Sequence, residues 1–97
     1  MKFVFHPAAE AGFLEAVAYY QSKVSGLGAD LIREFDALTQ LIGEAPQGWQ
    51  LGLEPDIRRA PLHRFPLSIM YREQPDACQI LAVAYDRRRP QYWLGRV

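Results

Sequence analysis

The chain opens on a short extended run. From Lys2 to His6, Phe3 and Phe5 alternate with Val4, apolar on both faces, which predicts a strand buried inside a sheet. Pro7 then sets the backbone angle favoured at a helix's first position, with Glu10 near the positive end of the dipole and His6 as a cap or turn residue. From Ala8 to Val24 the apolar residues Phe13, Val17, Tyr20 and Val24 recur at i, i+4, i+7 and i+11, one face of a helix. Ser25-Gly26-Leu27-Gly28 interrupts the pattern with two residues that tolerate left-handed angles. A second helix follows, with Asp30 in its opening turn and Leu31, Phe35, Leu38 and Ile42 at the same spacing, closed by Gly43 and Pro46. So short a break predicts an antiparallel helical hairpin.

Two apolar stripes must cover something, and the second half of the chain offers a sheet. Residues 45–55 carry Pro46, Gly48, Gly52 and Pro55 and read as a surface loop with Trp49 as an anchor. Asp56 to Leu62 is a strand that Pro61 demotes toward an edge. Leu67 to Glu73 alternates Leu67, Ile69 and Tyr71 against Ser68, Met70 and Arg72. After the turn Gln74-Pro75-Asp76-Ala77, the run Cys78 to Tyr85 has few polar positions and belongs in the middle of the sheet. The predicted fold is α+β, β-α-α-β-β-β, a helical hairpin packed on a mainly antiparallel four-stranded sheet, as one domain over residues 1–97.

Composition narrows the class. Hydrophobic residues make up 49% and charged ones 23%, which excludes a disordered or fibrous chain. No apolar run approaches the roughly 20 residues that span a bilayer, and the first seven are too few for a signal peptide. A soluble, cytoplasmic protein with no membrane contact is expected. Cys78 is the only cysteine, so an internal disulfide and a cysteine-based zinc cluster are excluded, and its place on a buried strand reads as structural. The residue spacing implies no cofactor and no metal site.

A formal net charge of zero hides an asymmetry. Residues 1–56 hold three basic side chains against eight acidic ones, a net of −5; residues 57–97 hold eight against three, a net of +5. Every base in the second part is arginine, whose planar fork fits phosphate or carboxylate. Arg87, Arg88 and Arg89 follow directly on the strongest strand and lead to Tyr92 and Trp93. Guanidinium groups beside aromatic rings suit RNA, single-stranded DNA or an acidic protein partner. A solvated charge run, with the aromatics anchoring the chain end, is the alternative.

A second basic group holds Arg58, Arg59, His63 and Arg64. If residues 58–64 are extended, Arg58 and Arg64 share one face and Arg59 and His63 the other, with Arg72 on the next strand near Arg58 or Arg64. His63 is a candidate general base or simply an exposed histidine. Asp86 is expected to pair with one of the arginines that follow it.

Two stretches carry a family resemblance: Arg64-Phe65-Pro66-Leu67-Ser68-Ile69-Met70-Tyr71-Arg72, and Ile80-Leu81-Ala82-Val83-Ala84-Tyr85-Asp86-Arg87-Arg88-Arg89-Pro90-Gln91-Tyr92-Trp93. With the order of elements, they resemble the ParE branch of the RelE/ParE toxins of type II toxin–antitoxin pairs, over nearly the whole chain. The resemblance implies a plasmid-stabilisation-type toxin that a cognate antitoxin neutralises, in a possible hetero-oligomer. ParE-like relatives act on DNA gyrase; RelE-like relatives cut messenger RNA on the ribosome. Here Leu67 stands where relatives often carry Tyr, and Tyr85-Asp86 where they carry His and a small or polar residue. Ser68 occupies the place of the arginine that RelE-like nucleases use three residues before a tyrosine.

These departures favour a toxin that arrests growth by binding its target, gyrase, without being an enzyme. Binding to target or antitoxin is assigned to Arg58, Arg59, Arg64, Arg72, Arg87, Arg88, Arg89, Tyr92 and Trp93. The alternatives are a ribosome-dependent endoribonuclease, with catalytic candidates among Arg64, Arg87, Arg88, Tyr85, Tyr92 and His63, and a degenerate, non-toxic relative. Cleavage by 2′-hydroxyl attack needs charge stabilisation and a proton acceptor. Arg87 or Arg88 supplies the first, and the second has no clear owner.

Overall fold

A computed structural model of the chain describes residues 2–53, 56–87 and 96. Its elements are β1 (Phe3–Phe5), α1 (Pro7–Lys23), α2 (Leu27–Glu44), β2 (Gln50–Leu53), β3 (Ile57–Pro61), β4 (Leu67–Gln74) and β5 (Ala77–Tyr85). The predicted α+β hairpin-on-sheet architecture holds, with one strand more than the pattern suggested. The five strands lie in the order β1-β5-β4-β3-β2, antiparallel except that β1 runs parallel to β5.

Local chemistry accounts for the helices. His6 is the N-cap of α1: its imidazole Nδ1 accepts from the Ala8 amide at 3.1 Å, and Pro7 begins the helix. The break between helices is shorter than expected, because Leu27 and Gly28 already belong to α2. Gly26 turns the chain at φ +90°, and the Gln21 carboxamide accepts from the amides of Gly26 and Gly28, both at 3.1 Å. That side chain satisfies donors the first turn of α2 leaves over. Leu31, Phe35, Leu38 and Ile42 are all buried, as their spacing required. On α1, Phe13 is buried and Val17 and Tyr20 are half-buried, but Val24 falls at the C-cap and is exposed.

The helices cover one face of the sheet. Phe13, Leu31, Phe35 and Ile42 share a core with Leu67, Ile69 and Tyr71 of β4 and Cys78, Ile80 and Val83 of β5. Phe5, Phe13 and Phe35 stack, with Phe13 and Phe35 4.4 Å apart. Cys78 is buried, as a structural role demands.

Three strand placements differ from expectation. β1 is at an edge, not inside the sheet, and Val4 is 43% exposed; three residues suffice to pair with β5 on one side alone. Gln50–Leu53 form an edge strand rather than loop, pairing with β3 through a bulge. β3 is consequently interior, and Pro61 is tolerated because it ends the strand. β5 lies between β1 and β4, flanked on both sides as predicted.

Candidate functional site

The sheet's second face, away from the helices, is where the sequence concentrates arginine on a rigid support. Ser68, Met70 and Arg72 of β4 point there, opposite Pro61, Arg59 and Ile57 of β3. On β5 the register slips by one residue between Met70 and Tyr71, so that Leu81 and Ala82 both reach this face. Ile57, Met70, Leu81, Ala82 and Ala84 make a second buried cluster. Arginines frame it.

Arg59 donates through Nη2 to Asp86 Oδ1 at 3.1 Å, and Ser68 Oγ donates to the same oxygen at 2.6 Å. The Asp86 amide donates to the Pro66 carbonyl at 2.9 Å, which fixes the residue just past the end of β5. Ser68 is only 2% exposed, whereas the Arg59 and Asp86 side chains keep 40% and 33% of their surface in solvent. A pair so exposed contributes about 0–1 kcal/mol. Arg72 donates through Nη2 to the Gln79 side chain at 3.0 Å, and its Nε is buried without an acceptor. Arg87 is exposed immediately after Asp86.

The other arginines go elsewhere. Arg58, on the helix-facing side, donates through Nη1 to the Trp49 carbonyl at 2.6 Å. Beside it, the Tyr71 hydroxyl donates to the Pro46 carbonyl at 2.6 Å, so the two side chains tie down the segment after α2. Burial pushes the Tyr71 phenol up to about 12, with Arg58 pulling the other way. Arg64 belongs to the β3–β4 connection, which Glu34 of α2 holds by accepting from the amides of His63 and Arg64. The Arg64 guanidinium lies 3.6 Å from Asp30, which Arg33 also engages, and 5.8 Å from the Phe65 ring centre.

Residues 58–64 are therefore not one extended run. The strand stops at Pro61 and residues 63–66 bend, so Arg58 and Arg64 do not share a face, nor do Arg59 and His63, and Arg72 faces away from both Arg58 and Arg64. Asp86 pairs with Arg59 from β3 rather than with its own neighbours in sequence. Arg59, Arg72 and Asp86 are brought to one face, and Arg87 follows in the chain, exposed. Arg64 is instead neutralised by α2. Arg88, Arg89, Tyr92 and Trp93 lie outside the described residues.

The described proton-transfer candidates, His63 and Tyr85, are poorly placed for chemistry on this face. His63 is exposed at the turn held by Glu34. Tyr85 is half-buried, and burial first, then its hydrogen-bonded neighbour Tyr20, pushes it up to about 12, a neutral phenol at physiological pH. Sequence reasoning did not single out Arg96, whose Nη1 donates to the Leu81 carbonyl at 2.9 Å. It also missed the Ser68–Asp86–Arg59 cluster; its one local signal was a small polar residue among the apolar residues Leu67–Tyr71 of β4. Among the described residues no three His, Cys, Asp or Glu side chains gather as metal ligands, and no helix is long and apolar enough to cross a membrane.

No protein-family model matches the chain, and no curated protein matches it. Among solved structures, a chain of the chromosomal ParDE TA system from P. aeruginosa aligns with a TM-score of 0.72 at 20% identity, covering 88% of this chain and 95% of that one. The fold is ParE-like. In this chain the helical hairpin takes one face of the sheet, and the opposite face carries the Arg59–Asp86–Ser68 cluster and Arg72.

Proposed function

We propose that this protein is the toxin of a type II toxin–antitoxin pair, that it arrests growth by binding a target without cleaving it, and that a cognate antitoxin neutralises it. The observation that carries this reading is the ParE-like fold over nearly the whole chain. The arginine-framed face supports binding of an anionic partner, with Arg59, Arg72 and Arg87 as contacts there and Arg58, Arg64, Arg88, Arg89, Tyr92 and Trp93 assigned to the same role from sequence.

The chemistry of the face argues against phosphodiester cleavage. A nuclease needs cationic donors around the phosphorane and a group to take the 2′-hydroxyl proton. Ser68, at the position where RelE-like nucleases carry arginine, instead binds the Asp86 carboxylate, and a fixed negative charge there repels a phosphate. Tyr85 next to it holds its proton. DNA gyrase, the target of ParE-like relatives, is the target we assign.

Expression from a tightly repressed promoter in a bacterial host tests the reading. Growth should stop with induction of a DNA-damage reporter, and co-expression of a small acidic protein encoded beside this chain should restore it. Unimpaired growth with abundant folded protein would overturn the reading. Codon-phased messenger RNA cuts in primer extension, lost in Arg88→Ala, would replace it with the nuclease.

A further inference from the structure

Among the described residues, the carboxylate bonded on the arginine face is the protein's own Asp86. Asp86 Oδ1 takes two donors at once, Arg59 Nη2 at 3.1 Å and Ser68 Oγ at 2.6 Å. Arg59 and Arg72 stand on the same face in diagonal register, because Arg59 pairs with Met70 and Arg72 with Ile57. Arg72 reaches only the neutral Gln79 amide and leaves a buried Nε unbonded. A half-buried guanidinium without a carboxylate is incompletely satisfied, and a planar acid is the group its fork matches. Arg59 therefore holds the internal acid and Arg72 has none, and the Arg59–Asp86 contact is one that solvent already reaches.

We propose that Asp86 is an internal placeholder for a partner's carboxylate: it occupies the Arg59 fork in the unbound protein and yields it when an acidic peptide segment docks across Arg59 and Arg72. The inference rests on the toxin reading and adds how its partner surface is regulated. A carboxylate is the committed ligand because the structure shows this site accepting one. The exchange is cheap because a pair with a third or more of both side chains in water is weakly held. Ser68, which is buried, retains Asp86 near the strand end while the guanidinium changes partner. Every acid that takes the Arg59 fork must displace the placeholder, and a segment that also engages Arg72 recovers that cost through the second contact.

The test uses the full chain and two probes, a fluorescein-labelled hexaglutamate peptide and a labelled hexauridine RNA. Asp86→Asn keeps the shape and the acceptor but removes the charge, and should tighten hexaglutamate binding by about three- to fivefold. Adding Arg59→Gln should abolish that gain, and Arg72→Gln alone should weaken the peptide in both backgrounds. Unchanged peptide affinity in folded Asp86→Asn would overturn the proposal. So would an equal or larger gain for the RNA, which would make the face a general or phosphate-directed anion site. If Asp86→Asn does not fold, Asp86→Ala removes the carboxylate outright and should give a gain in the same direction, lost again on adding Arg59→Gln; no gain would overturn the proposal. Growth arrest is read separately: its absence overturns the toxin assignment, whereas arrest with unchanged peptide affinity overturns the placeholder alone.

Discussion

Gly28 shows how much a single hydrogen can decide. A methyl group at its Cα would lie 2.9 Å from the Val17 carbonyl oxygen and 3.0 Å from the Gln21 Cβ, so α1 and α2 can approach this closely only at glycine. Gly28→Ala should lower stability by about 1–3 kcal/mol in urea titration, against a small helix-propensity gain for alanine. Tyr71 is the second residue whose detail has a measurable consequence. Its folded value of about 12 lies above the ordinary 10, so the neutral phenol is the form the fold favours. The associated stability is complete below pH 10 and is lost as pH rises toward 12, on the order of 2–3 kcal/mol. Tyr71→Phe should flatten the fall of urea midpoint between those pH values. It should also cost about 1 kcal/mol at pH 7, because the Pro46 carbonyl loses its donor.

At the scale of elements, the start of α1 was legible because its chemistry is local. His6-Pro7 marks the start of α1, and the imidazole does cap it. His6→Ala should cost about 1 kcal/mol in thermal or urea unfolding, and His6→Asn, which restores a side-chain acceptor, should recover most of it. The apolar stripe of α2 was equally plain, since each of its four predicted core positions is buried. Strand identity was harder. Gln50–Leu53 contains a glycine and is flanked by turn residues, so its periodicity is weak; it becomes a strand because β3 supplies hydrogen-bonding partners. β1 reads as a buried strand from its phenylalanines, yet it is an edge, since a three-residue segment packed on one side by helices buries aromatic rings without a second neighbour.

For the whole molecule, the division of charge along the chain becomes a division in space only in part. The acidic helices take Arg64 for themselves through Asp30 and Glu34, while Arg59 and Arg72 remain on the opposite face of the sheet. Binding of an acidic partner through that face should weaken steeply as salt rises from about 50 to 200 mM, because arginine contacts release counterions and are screened. Isothermal titration across that range measures it; an affinity independent of salt would place the binding energy in apolar contacts instead.

By itself, the order of residues settled the two helices, the N-terminal cap of α1, the alternation of β4 and the interior place of β5, because periodicity and capping depend on neighbours within a turn or two. It also carried a resemblance whose expected fold is the one observed. Tertiary structure alone decided which arginines meet. Arg59 finds Asp86 across 27 positions, and His63 and Arg64 find Glu34 across 29 and 30. Pairing at such distances follows from strand order, a register slip on β5 and the packing that brings Glu34 of α2 to the β3–β4 connection, none of which leaves a periodic trace in the chain.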